Sequence, residues 1–294
     1  MQPDILLTLS AGSLRPLLAA KDPRCPTLLA VPQFVATDLE LRGLNLPTDM
    51  LRGFDLQAIE KLRDEADRAH CPVLLLSEET PIDFATRAGP LWVGALDRLR
   101  RLGTAASRLG CPSIAVRIQA PETDAAFEAT AAGVKIALKE LERFELNLLI
   151  APNEGLTFEP TRLTDLIKKI GGFRIGSYPS FADAFATGDL DRALRKLAPY
   201  APAISATVRG FDKDGAHEEY SLEVCVGAIR SVGYGNTLAI DFAPAEVADK
   251  KKSSKKSAGK GVVDLVAVID RARQQLATLS AEPEVSEVFD EEAE

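Results

Sequence analysis

Short apolar runs alternate with helical stripes along almost the whole chain. The runs at residues 5–9, 41–46, 73–76, 114–118, 146–150, 173–177, 204–208 and 237–242 read as buried strands. Between them, apolar positions recur at helical spacing. Leu56, Ile59, Leu62 and Ala66 mark one face over residues 55–70, and Trp92, Ala95, Leu99, Leu102 and Ala106 mark another over 92–109. Phe127, Ala131, Val134, Leu138 and Leu141 stripe a third helix. Shorter stripes follow at 163–170, 190–197 and 222–232, and a longer one runs from Val262 to Leu279. Two Cys-Pro pairs, at Cys71 and Cys111, stand 40 residues apart, each between a helix and a strand. A βα unit of that size, repeated to eight strands with a helix after each, predicts an α/β chain folded as a single-domain (β/α)8 TIM barrel.

Two stretches break the pattern. Residues 249–260, DKKKSSKKSAGK, are basic and carry no bulky apolar side chain. They read as a flexible Lys-rich insertion in the last βα loop of a barrel spanning residues 1–280. Such a loop is either solvated or lies over the mouth of the barrel and attracts anions. Residues 281–294 form an acidic tail expected to be disordered.

Composition narrows the classes. The chain has 294 residues, 46% of them hydrophobic, enough for one large core. A net charge of -8 argues against general nucleic-acid binding. Four cysteines without a CxxC pair are expected to be reduced, buried thiols. No run approaches the ~20 apolar residues that span a bilayer. A soluble, cytoplasmic protein without membrane partners is the expectation.

Candidate chemistry gathers at the strand ends. The stretch 147–157, NLLIAPNEGLT, passes from an apolar strand to polar residues at the end that lines the active mouth of a parallel barrel. Asn153 and Glu154 stand there. Asp183, Asp241, Arg209 and, after the third strand, Glu78 stand at corresponding places. Arg117 alternates with Val116 and Ile118 and so points into the barrel, where a lone charge is costly and needs an anionic partner. That partner is either a protein carboxylate or a ligand. Glu154 and Asp183 read either as exposed loop acids or as site acids. Asp241 reads either as a structural partner of Arg117 or Arg209, or as a site acid. His70 ends a helix at the opposite face, and His217, within DGAHEEY, reads as a solvated loop histidine.

Five segments carry a family resemblance: LGCPSIAVRI (109–118), LLIAPNEGLT (148–157), IGSYPSFADA (175–184), TVRGFDKDG (207–215) and VGYGNTLAIDF (232–242). Over residues 1–244 the chain resembles the xylose isomerase-like barrels, which include sugar-phosphate isomerases and epimerases. The resemblance implies a divalent metal at the mouth, held mainly by acids after the fifth, sixth and eighth strands and a histidine, with carboxylates moving a proton. This chain departs from that pattern. Ala151 stands at the fifth-strand Glu, Asn153 at a His, and Ser180 at the sixth-strand Asp. Thr207 and Arg209 stand where a Lys or His is usual, and Asp241 is a shortened eighth-strand acid.

Losing two of about three carboxylates removes most of the charge that retains a hard cation. The reading is a divergent barrel that has lost its metal-dependent reaction, a pseudoenzyme without a cofactor. It keeps a binding or scaffolding role for a sugar-like or anionic small molecule at Glu78, Arg117, Asn153 and Arg209. One alternative is an active sugar or sugar-phosphate isomerase or epimerase with Glu154 and Asp241 as catalytic acids. In that case Glu154, Asp183 and Asp241 would hold Mn, Mg, Co or Zn. The other alternative is a protein-interaction module acting through the charged loop and tail.

Overall fold

A computed structural model describes residues 4–244 and 258–281, with side chains from residue 265 onward in the second segment. The residues of the Lys-rich run up to 257 and the acidic tail from 282 lie outside the described residues. Eight strands are present: β1 (Leu6–Ser10), β2 (Leu44–Pro47), β3 (Val73–Ile82), β4 (Ser113–Ile118), β5 (Asn147–Ala151), β6 (Ile175–Ser177), β7 (Ala203–Val208) and β8 (Thr237–Phe242). Around them run α1 (Arg15–Ala20), α2 (Val31–Thr37), α3 (Leu56–Arg68), α4 (Gly89–Leu109), α5 (Asp124–Leu141), α6 (Pro160–Ile170), α7 (Phe181–Ala186), α8 (Leu190–Leu197), α9 (Leu222–Arg230) and α10 (Ala258–Ser280).

The paired strands are all parallel, in the order β6-β5-β4-β3-β2-β1-β8-β7. The seam between β6 and β7 is narrow. The Ser205 N–H donates to the Pro179 carbonyl at 3.0 Å, and Ser180 bridges Ser205 in parallel. With that seam the sheet curls into the expected (β/α)8 barrel, one large core filling the layer between strands and helices.

Local signals set the helix starts. Asp55, Thr123, Glu159, Ser180, Asp189 and Ser221 each accept a backbone N–H from three residues ahead, which satisfies a donor the helix leaves unpaired. The helix-stripe residues Ile59, Leu62, Leu99, Leu163, Leu194 and Ile229 are buried as expected, but Leu56 is half exposed at the first turn of α3. The sixth strand is shorter than its apolar run. Phe173 lies outside β6 and is 91% exposed. All four cysteines are free and buried, and burial lifts the Cys25 thiol to about 11 and those of Cys71, Cys111 and Cys225 to about 12. Among the described residues no helix is long and apolar enough to cross a membrane.

Inside the barrel, Leu75, Ala115, Leu149 and Ala203 form a small apolar plug with Tyr178 packed against it. Strand alternation then places the next inward residues above that plug: Ser77 and Glu79 on β3, Arg117 on β4, Ala151 on β5, Ser205 and Thr207 on β7, and Asp241 on β8. These residues make the site.

Candidate functional site

The mouth is a cavity of about 540 Å³ lined by Ser10, Arg15, Glu78, Glu79, Arg117, Ala151, Tyr178, Ser180, Asp183, Ser205, Thr207, Arg209 and Asp241, with small residues between. Its centre is an ion cluster. Arg117 Nε donates to Glu79 at 3.0 Å, and Nη1 donates to the Pro152 carbonyl and lies 3.8 Å from Asp183. Burial works against the Arg117 charge, but Asp183 and Glu79 outweigh it and hold the guanidinium above its usual range. The internal partner that an inward arginine requires is therefore supplied by the protein.

The two other acids of the mouth are held differently. Asp183 sits in the first turn of α7, whose start is capped by Ser180 accepting the Asp183 N–H at 2.9 Å. Burial pushes the Asp183 carboxyl up by more than Arg117 and Ser180 pull it down. Asp241 is also pushed up, by burial first, against the opposing pull of Ser10, Arg209 and Ser205. Glu79 adds to the rise of both. Asp241 has no ion-pair partner among the described residues. On the floor, Asn45 Nδ2 donates to the Tyr178 hydroxyl at 3.2 Å, and burial and the Asp241 charge raise that phenol well above its ordinary value.

Two expected site residues reach the mouth but are committed to other partners. The Glu78 carboxylate turns outward, 2.6 Å from Arg98, and accepts from Thr48 Oγ1 at 3.1 Å and the Thr80 N–H at 3.0 Å. Glu78→Gln should therefore cost about 2 kcal/mol of stability, read by urea unfolding, and leave ligand affinity at the mouth unchanged. A loss of affinity without a loss of stability would restore Glu78 as a ligand-binding residue. Arg209 Nη1 donates to the Ala243 carbonyl at 2.8 Å, and Nε lies 3.4 Å from Glu219.

Asn153 and Glu154 do not enter the mouth. Gly155, at φ +82, turns the chain after β5, and both residues line a separate outer cleft of about 1210 Å³ together with Asp83 and Arg98. Asn153 Nδ2 donates to the Ile118 carbonyl at 2.9 Å, a loop brace, and Glu154 is exposed. The expected set Glu154, Asp183 and Asp241 is thus split, with Glu79 standing beside the other two. His217 is corrected as well. It is 9% exposed, packs on Tyr220 with ring centroids 4.2 Å apart, and accepts the Arg209 N–H at 3.0 Å. Burial lowers its pKa, as suits a neutral acceptor. Its role is to hold the loop after β7, which carries Arg209.

Glu79, Tyr178, Ser10 and Ser205 were not among the expected site residues. Continuing the alternation of β3 past Leu75 and Ser77 points to Glu79, and the same parity past Gly176 points to Tyr178.

A resident divalent ion does not fit this set. Among the described residues no three His, Cys, Asp or Glu side chains are grouped so as to hold one. Ala151 and Ser180 bring no anionic oxygen, and two of the carboxylates that remain, Glu79 and Asp183, flank a guanidinium.

No family model and no curated protein matches the sequence. Solved structures do match in fold. L-ribulose 3-epimerase superposes with a TM-score of 0.70 at 14% identity, over 94% of each chain. The IOLI protein with a binding zinc atom gives 0.67 at 10%, over 94% of this chain and 98% of that one. A xylose isomerase domain protein from Planctomyces limnophilus gives 0.60 at 15%, over 83% and 90%. At such identities the likeness establishes the fold, a xylose isomerase-like TIM barrel.

Proposed function

We propose that the mouth binds a small sugar-like molecule and that the chain works as a binding barrel without resident metal chemistry. The observation that carries this reading is the composition of one cavity. Two half-buried carboxyls, Asp183 and Asp241, stand with the hydroxyls of Ser10, Ser205 and Tyr178 and the Arg117 guanidinium around about 540 Å³. Ligand cavities run to roughly 300–1,000 Å³, and few, directed polar groups set their specificity. Alternating donors and acceptors on a small apolar plug suit a polyol, whose hydroxyls both donate and accept. The similar folds include sugar epimerases, which supports the class of ligand without naming one.

The test is a set of thermal melts with monosaccharides, sugar acids and sugar phosphates, and separately with Mn2+, Mg2+, Co2+ and Zn2+. A ligand at about 100 times its Kd adds about 2.7 kcal/mol, a shift of several degrees. A carbohydrate shift that shrinks to about half or less in Asp241→Asn is expected. A stoichiometric metal in the purified protein, or a metal shift lost in the same variant, would overturn the reading.

A second reading, an isomerase or epimerase, is favoured by one observation. Asp183 and Asp241 are both held towards the protonated form in one cavity, as acid–base groups require. Glu79 rather than Glu154 would be the third carboxyl. The reaction would remove a proton from a carbon next to a carbonyl and return one. In D2O it would place deuterium on that carbon of the sugar, seen by NMR, and no exchange across the monosaccharide panel sinks it. The protein-interaction alternative concerns the charged loop and tail, which lie outside the described residues except for 258–260, at the start of α10, and Ala281.

A further inference from the structure

We propose that Arg117 is the resident cation of this barrel: its guanidinium takes the place, and neutralises the carboxylates, that a divalent ion would otherwise use. The proposal rests on the reading of the mouth as the site, but not on the ligand being a sugar.

Register puts Arg117 beside Ala151 in the paired strands β4 and β5. A methyl group is all that Ala151 offers, so the space in front of it is open to the long neighbouring side chain. The guanidinium meets oxygen from three separate segments: Glu79 on β3, the Pro152 carbonyl after β5, and Asp183 on α7. Convergence of oxygens from different strand ends on one positive centre is how a barrel mouth holds a cation. Here the cation is covalently part of the chain.

The surrounding residues are consistent with that exchange. Ser180 caps α7 and so sets the position of Asp183. Each side of the cluster depends on the other. Without Arg117, Glu79 and Asp183 would repel each other inside the mouth. Without those acids, an inward arginine would be an unpaired buried charge. A second cation entering the cluster would stand close to a charge that cannot be deprotonated, since a guanidinium stays charged across the accessible pH range. The planar fork also differs from a metal in what it offers a ligand, which is directed N–H donors rather than open coordination positions.

The experiment compares wild type, Arg117→Ala, Arg117→Lys, Ala151→Glu and the double variant Arg117→Ala with Asp183→Asn. Each is stripped with EDTA, then analysed for bound metal and melted with and without Mn2+. Wild type and Arg117→Lys should hold no stoichiometric Mn2+ and show no shift. Arg117→Ala should melt lower in EDTA and recover on adding Mn2+, by about 5 °C near 100 times the Kd. The double variant should lose that response. Ala151→Glu should bind no Mn2+, because Arg117 neutralises the added acid, and it tests the proposal independently if Arg117→Ala fails to fold.

Stoichiometric metal in wild type or in Ala151→Glu would overturn the proposal. So would a folded Arg117→Ala that ignores Mn2+. A carbohydrate panel without hits beside a Mn2+ response in Arg117→Ala would end the sugar reading and leave this one standing.

Discussion

Gly133→Ala should cost at least about 3 kcal/mol of stability. For a chain of this size that is a fall in Tm of roughly 2–4 °C per kcal/mol. Gly133 is in the middle of α5, where alanine ordinarily gains about 1 kcal/mol over glycine. Propensity alone therefore predicts the opposite sign. Packing reverses it. A Cβ at position 133 would lie 1.9 Å from the carbonyl oxygen of Phe84 and 2.9 Å from its carbonyl carbon. Those are backbone atoms, so no rotamer change relieves the clash. Phe84 is itself fully buried, two residues past the end of β3. The close approach thus seats α5 against the segment leaving β3, the strand that carries Glu78 and Glu79. Thermal and urea unfolding of the variant measure the effect. A Tm equal to or above that of wild type would show that α5 can shift away from Phe84 at no cost.

The fold was legible because burial on both faces leaves a short, largely apolar run, clear at β3, β4 and β5 and weaker at β2 and β6, where Asn45 and Gly176 interrupt it. What escaped notice was short or capped by proline. The helices Arg15–Ala20, Val31–Thr37 and Phe181–Ala186 have six or seven residues, under two turns, too few to repeat a stripe. The site was legible only where alternation was followed. Arg117 was placed inward by its neighbours Val116 and Ile118. Glu79 was missed because the apolar run stops at Leu76, whereas the strand continues to Ile82 with polar residues on both faces. The same error made Glu78 a candidate, although its parity sends it outward to Arg98. Asn153 and Glu154 misled for another reason. They follow β5 directly in sequence, but the turn at Gly155 carries them out of the mouth. His217 was hidden by its polar neighbours. Its burial comes from Tyr220, three residues on, and from its hydrogen bond to Arg209, neither of which a hydropathy pattern records.

Asp241→Asn should make the protein more stable at neutral pH and weaken its hold on the ligand. The wild-type carboxyl is lifted above its ordinary 3.8, with burial as the main cause. The folded chain therefore holds this proton to a higher pH than the unfolded chain does. The contribution to stability is complete below the unfolded value and is lost as pH rises through the folded one. At neutral pH the charge is a net burden, since no cation among the described residues pairs with it and the pull of Ser10, Arg209 and Ser205 falls short of the cost of burial. Asparagine keeps the shape and a hydrogen-bonding oxygen but cannot ionise. The gain should be about 1–2 kcal/mol at pH 7, and part of the fall in stability between acid and neutral pH should vanish with it. Asp183 adds a fall of the same sign, so the loss is partial. For the ligand the sign reverses. A carboxylate accepting from a sugar hydroxyl is worth about 1.5–3 kcal/mol, so binding should weaken roughly 10- to 150-fold. Melts of both proteins across pH 3 to 8, with and without ligand, separate the two effects. A variant less stable than wild type at pH 7, with an unchanged pH profile, would make Asp241 a structural carboxylate. Stability gained as affinity is lost would mean that the fold tolerates this acid, at a cost, because the mouth uses it.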